Sequence, residues 1–182
     1  MTDVDTPATV LARFARSPLR PGLTAAELDA VEQEFGFSFA DDHRALLAAA
    51  LPVGRGWPDW RDGDRDQLRE KLAMPVEGVL FDVAENGFWY AGWGARPAAP
   101  AAAATVARGF LLTTPRLIPV YSHRYLPAGR GTQGHPVLSV MQTDVILYGP
   151  DLAGYLKHEF GGERPSLDGV RATVPFWRDL VR

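Results

Sequence analysis

"RLIPVYSHRYLPAGRGTQGHPVLSVMQTDVILYG", residues 116–149, decides the fold. Before it, apolar residues recur at helical spacing. Inside it the rhythm shortens. "RLIPVYSH", "PVLSVMQ" and "DVILYG" are short and β-branched, and Gly, Pro and Asp-type turns separate them. They read as an antiparallel meander, with "QTD" as the tight hairpin connection between the last two. "GRGTQG", residues 129–134, carries the letters G-x-G-x-x-G. A dinucleotide site needs a strand before those letters and a helix after them, whose N–H groups hold the pyrophosphate. Here Pro136 and another strand follow. The glycines therefore form a hairpin connection with Arg130 at its tip, and no cofactor is implied.

Upstream the pattern is helical. "GLTAAELDAVEQEFG" holds Thr24 and Glu27 as a capping box, Leu28, Val31 and Phe35 at helical spacing, and Gly36 as the stop. "ADDHRALLAAAL" follows, with Asp41 and Asp42 at the positive end of the helix dipole and Leu46, Leu47 and Leu51 on the apolar side. His43 reads as a surface residue there. "ATVLARFA", residues 8–15, forms a short first helix ended by Pro18 and Pro21. Asp64 caps a helix through Leu72, and Pro75 is expected to break it. "VEGVLFDV" then resumes as helix or strand. "ENGFWYAGWG" is a turn, and the alanine-rich run from Pro100 to Leu112 is helical. Asp151 starts a helix stopped by Gly161 and Gly162, and "VPFWRDLVR" adds one more turn. Helices first, strands in the second half, then a helix make an α+β domain. Its sheet is mostly antiparallel, of about four to six strands, flanked by helices, with the N-terminal helices packed on it. No repeat or linker divides the chain, so residues 1–182 form one domain, with a core at 22–160 and a tail at 161–182.

Composition narrows the function. The chain has 182 residues, 46% hydrophobic and 23% charged, which suits one globular domain. The lack of cysteine excludes disulfides and thiolate metal sites. Asp3 and Asp5, with no long apolar run after them, argue against a signal peptide. Arg96 and Arg108 interrupt the alanine-rich stretch, so it is not of membrane type. The expected location is the cytoplasm. Charge is uneven: residues 1–85 balance to −7, residues 86–143 to +5 and residues 144–182 to −1. The five middle arginines (Arg96, Arg108, Arg116, Arg124, Arg130) either pack near the acidic first half or meet an anionic partner. Five arginines over 58 residues are too sparse for a phosphate track, so direct nucleic-acid binding is not expected.

No reaction centre assembles from these residues. In an extended strand neighbouring side chains point to opposite faces, which separates Ser122 from His123 and groups His123 with Tyr121 and Tyr125. No G-x-S-x-G elbow surrounds the serine. No two of His43, His123, His135 and His158 have metal-ligand spacing. Asp62, Asp64 and Asp66 lie at a helix start among arginines and read as a capping, solvated face. An enzyme would have to be a hydrolase built on His123, Tyr121 and a distant acid such as Asp144. Contact residues for a protein partner are Trp57 and Trp60 in a Gly/Pro-rich loop, with Asp59 and Arg61 beside them, and Arg124 and Arg130 in the basic middle.

"GLTAAELDAVEQEFGFSF" followed by "DDHRALL" resembles the N-terminal signature of the SUKH superfamily. "EGVLFDVAENGFWYAGWGARP" and "PRLIPVYSHRYLP…GHPVLSVMQTDVILYGPDLAGYL" look like its bacterial branch, related to yeast cell-wall-synthesis regulators. The likeness covers roughly residues 22–160, with Phe39-Ala40 where the family usually has Leu-Pro. It implies an α+β domain without a general active site. Its members include immunity proteins that bind and neutralise a cognate toxin, often a nuclease, and regulatory scaffolds.

Overall fold

The computed structural model describes residues 5–182; Asp3 lies outside the described residues. In chain order the elements are α1 (Pro7–Phe14), β1 (Leu19–Pro21), α2 (Ala25–Phe35), α3 (Asp41–Ala49), β2 (Ala50–Pro52), α4 (Arg65–Glu85), a 3-10 turn (Ala91–Trp93), α5 (Pro100–Leu111), β3 (Leu117–Tyr121), β4 (Arg124–Pro127), β5 (Val137–Met141), β6 (Asp144–Gly149), α6 (Leu152–Gly161) and α7 (Trp177–Leu180). β3 to β6 form one antiparallel sheet in sequence order, and β1 pairs with β2 in a separate ribbon. The fold is α+β, with helices on both faces of the sheet.

The period of two along the strands divides the core. Leu117, Tyr125, Leu138, Val140 and Val145 pack with Val79, Val83, Ala103, Ala107 and Trp177, from α4, α5 and α7. Val120, Leu126 and Val137 pack on the other side with Val10, Leu11, Leu152, Tyr155 and Leu156, from α1 and α6. A third cluster joins α2, α3 and Trp60 to Ile118. β3 thus contributes Leu117, Ile118 and Val120 to three different clusters.

Local signals place the helix ends. The Thr24 Oγ1 accepts from the Glu27 N–H at 3.2 Å, while Glu27 Oε2 accepts from the Thr24 N–H at 2.7 Å. Gly36 ends α2 at φ 67°, in the left-handed region. Asp64 and Asp151 cap α4 and α6 as their sequence positions suggest.

Three expectations are corrected. Pro75 does not break the helix; α4 runs unbroken from Arg65 to Glu85. Proline lacks the N–H that would bond Lys71 O four residues back. The Tyr125 hydroxyl donates to that carbonyl instead, at 3.2 Å, from 54 residues further along the chain. His43 is not a surface residue: it is 2% exposed, on the side of α3 that carries Leu46 and Leu47. Its ring meets Phe39 edge-on at 5.0 Å, and burial drives its pKa down to about 3. Finally, "YSHRY" is not one extended strand. Tyr121 pairs with Arg124 across a two-residue turn, so the meander has four strands rather than three.

The basic middle is largely engaged within the molecule. Arg116 Nη1 donates to Phe35 O at 2.8 Å and Gly36 O at 3.0 Å, closing the carbonyl end of α2. Arg108 pairs with Glu77 at 2.8 Å, and Arg96 donates to Val83 O at 2.8 Å. Arg130 pairs with the buried Glu32, which also accepts from Arg44 and the Phe39 N–H.

Candidate functional site

The residues expected to meet a partner mostly hold the fold. Trp57 is 6% exposed; its ring stacks on Phe160 at 5.3 Å and its Nε1 donates to Ser17 Oγ at 3.0 Å. Trp60 is fully buried among Phe35, Phe37 and Phe39. Asp59 Oδ1 accepts from the Arg61 and Asp62 N–H groups at 3.1 and 3.0 Å, turning the chain into α4. Arg61 reaches back across the start of α2. It bonds Glu27 at 2.6 Å and the carbonyls of Pro21 and Gly22 at 3.0 and 2.9 Å. The Arg61 guanidinium, then the Thr24 bonds, hold the Glu27 carboxyl down at about 2. Arg124 lies 3.6 Å over the Tyr148 ring and donates to Ser139 Oγ at 3.0 Å, with its side chain 10% exposed. Arg130 alone of the six keeps a half-exposed charge, and that charge is shared with Glu32.

An open groove lies where the β3–β4 and β5–β6 turns emerge from the same end of the sheet. Arg55, Gly56, Lys71, Met74, Tyr121, Ser122, His123 and Met141 line a hollow of about 410 Å3. Both turns place a non-glycine residue in the left-handed region, Ser122 at φ 50° and Gln142 at φ 57°. Such positions persist only where the surroundings fix them. The Ser122 N–H donates to Gly56 O at 2.8 Å, and a Cβ on Gly56 would lie 2.5 Å from the Tyr121 ring. On the other turn, Asp82 of α4 accepts from the Thr143 N–H at 2.9 Å and from its hydroxyl at 2.6 Å. A Cβ on Gly78 would come within 2.8 Å of the Gln142 Cα, so helix and turn are in direct backbone contact. The groove is therefore rigidly framed.

The turn reverses the expected separation of Ser122 and His123. Ser122 Oγ lies 3.2 Å from His123 Nδ1, because a two-residue turn does not obey strand alternation. The groove does not complete a triad around this pair. Burial, and then the neighbouring Arg124 charge, lower the His123 pKa below its ordinary 6.5, so the ring is neutral at pH 7. Asp144, the acid considered for it, faces Arg182 at 3.8 Å. Tyr121 packs on Trp57 and Phe160. Among the described residues, no third side chain hydrogen-bonds the His123 ring as the orienting member of a triad would. Among the described residues, no cluster of three metal-ligating side chains occurs.

The groove instead offers contact area. Met74 and Met141 are 49% and 55% exposed on its two sides. Arg55, Lys71, Met74 and Met141 had no signal in the sequence, since they come together only when α4 crosses the end of the sheet. A larger hollow of about 480 Å3 lies between α4, α5 and the start of β3, but its arginines, Arg108 and Arg116, are held by Glu77 and the end of α2.

No protein-family model, curated protein or solved structure matches the chain.

Proposed function

We propose that the chain is a non-catalytic protein-binding module, of the toxin-neutralising immunity type that the SUKH resemblance implies, and that it docks through the groove at the turn end of the sheet. The observation that carries the reading is the pairing of two solvent-facing methionines with the left-handed Ser122 turn in one hollow, where Met141 leads into the second turn. Methionine on a surface is a costly exposure that adaptable protein contacts use. A preformed backbone lowers the ordering cost of association. Neutralising a toxin requires complementarity and fast encounter, and no chemistry.

The experiment is co-expression with toxins encoded beside the gene, followed by co-purification. Rescue of growth together with a complex that Met74→Ser and Met141→Ser weaken is the expected outcome. Complex formation without rescue favours a regulatory scaffold. Neither rescue nor complex with any neighbour removes the reading.

The Ser122–His123 contact favours a second reading, a hydrolase centred on His123. It predicts turnover of activated esters that His123→Ala abolishes. Wild-type turnover no faster than that of His123→Ala ends it.

A further inference from the structure

The groove's charge indicates what kind of partner it takes. Most cations of this chain are engaged: eleven arginines and lysines form ion pairs, and Arg96 and Arg116 bond backbone carbonyls. Arg13, Arg16, Arg55, Lys71, Arg164 and Arg171 do neither among the described residues, and of these Arg55 and Lys71 line the same hollow. No carboxylate lines it with them. His123 adds a neutral imidazole and Ser122 a hydroxyl, both able to bond a carboxylate oxygen. Met74 and Met141 give the rim an apolar grip.

Resting on the docking role proposed above, we infer that the groove binds an acidic segment of a partner protein. One Asp or Glu side chain meets Arg55 and Lys71, and a neighbouring Leu, Met or Phe sits between the methionines. The physical case is complementarity. Two positive charges that the protein leaves without counter-charge, on a chain whose net charge is −3, form a local attractive spot on a repulsive surface for acidic partners. That arrangement selects a short acidic motif and rejects a uniformly anionic surface. Nucleic acid fits less well. A phosphate chain needs a track of cations and free aromatic faces; this hollow has two cations, and its Tyr121 ring already packs on Trp57 and Phe160.

The test uses the full chain and synthetic probes. Fluorescein-labelled twelve-residue peptides carry Asp or Glu beside Leu, Met or Phe; matched controls carry Lys for the acid or Ser for the apolar residue. A single-stranded dT12 is the nucleic-acid arm. Fluorescence anisotropy is expected to show saturable binding of the acidic–apolar set, with affinity lowered about tenfold or more by Arg55→Glu with Lys71→Glu, and weakened by salt. Met74→Ser with Met141→Ser is expected to abolish the preference for the apolar neighbour. Thermal melts confirm that each variant is folded. Equal binding of the Lys controls, no binding of the acidic set, or tighter binding of dT12 overturns the inference. A co-purified natural partner whose complex survives Arg55→Glu with Lys71→Glu also overturns it, while leaving the binding-module reading intact.

Discussion

Single residues here show how a distant partner changes the meaning of a local signal. His43 lies in a helix start with two aspartates, which reads as solvent. Yet it stands three and four positions before Leu46 and Leu47, and the fold buries that side. Its folded pKa, about 3 against an ordinary 6.5, sets a pH dependence. Below pH 6.5 the unfolded chain takes up a proton that the folded chain refuses, so stability falls as pH drops from there towards 3. Wild type is expected to lose about 2 kcal/mol more between pH 7 and pH 5 than His43→Leu, measured by urea unfolding at both values. Carboxylates titrate below this window, and His123, shifted in the same direction, is common to both proteins. Equal losses would mean that the ring takes a proton in the folded state. Tyr125 makes the companion case. Its phenol, raised to about 12 by burial, stays protonated and donates to Lys71 O. Tyr125→Phe strands that carbonyl inside α4 and is expected to cost about 1–3 kcal/mol. Amide exchange in the turn around Pro75 is expected to accelerate, whereas exchange at the ends of α4 is expected to stay as it was.

Elements were legible where their ends carry their own chemistry. The capping box of Thr24 and Glu27, the left-handed Gly36, and the aspartate caps at 64 and 151 are satisfied within a few residues, so sequence spacing locates them. Pro75 hides the length of α4 because the bond it cannot make is replaced from another element. The β3–β4 turn is hidden because Ser-His carries no turn signature; the Ser122 N–H, at positive φ, is held by the Gly56 carbonyl from another part of the chain. The same reasoning explains why the groove was invisible: α4 and two turns supply it. Asp82 is the joint between these elements. Burial pushes its pKa up, but bonds from Thr143 and Asn86 outweigh that and leave it below its ordinary 3.8. The stabilising bonds are therefore present above pH 3.8 and lost as pH falls through the depressed folded value. Asp82→Ala is expected to cost about 1–3 kcal/mol at pH 7. Hydrogen exchange at Thr143 is expected to quicken first, with β3 and β4 little changed. If the β5–β6 turn keeps its protection, Asp82 does not frame the groove.

At the scale of the whole molecule, the last twenty residues decide whether the sheet stands alone. The sequence divides the domain into a core at 22–160 and a tail at 161–182. The packing ties that tail into the core. Phe176 and Trp177 are 6% and 1% exposed inside the α4–α5 side of the core. Phe176 holds a left-handed φ of 66°, unusual for a bulky residue, and stacks on Trp93 at 5.6 Å. Trp177 Nε1 donates to Pro115 O at 2.8 Å, across 62 residues. Val181 bridges Val145, and the Arg182 N–H donates to Val145 O at 3.2 Å, so the chain end covers the outer edge of β6. None of these contacts leaves a periodic trace, because each joins a short irregular segment to a distant strand. Removing one buried tryptophan typically costs about 3–5 kcal/mol, against a whole-domain stability of about 5–15 kcal/mol. Trp177→Ala is therefore expected to lower the urea midpoint sharply while keeping one transition, since β3 ties the three clusters together. A chain ending at Gly162 loses both rings and uncovers the β6 edge. It is expected to bind a hydrophobic dye, lose near-ultraviolet circular dichroism and self-associate. If that shortened chain melts like the full one, residues 22–160 carry a complete core and the tail is an ornament on it.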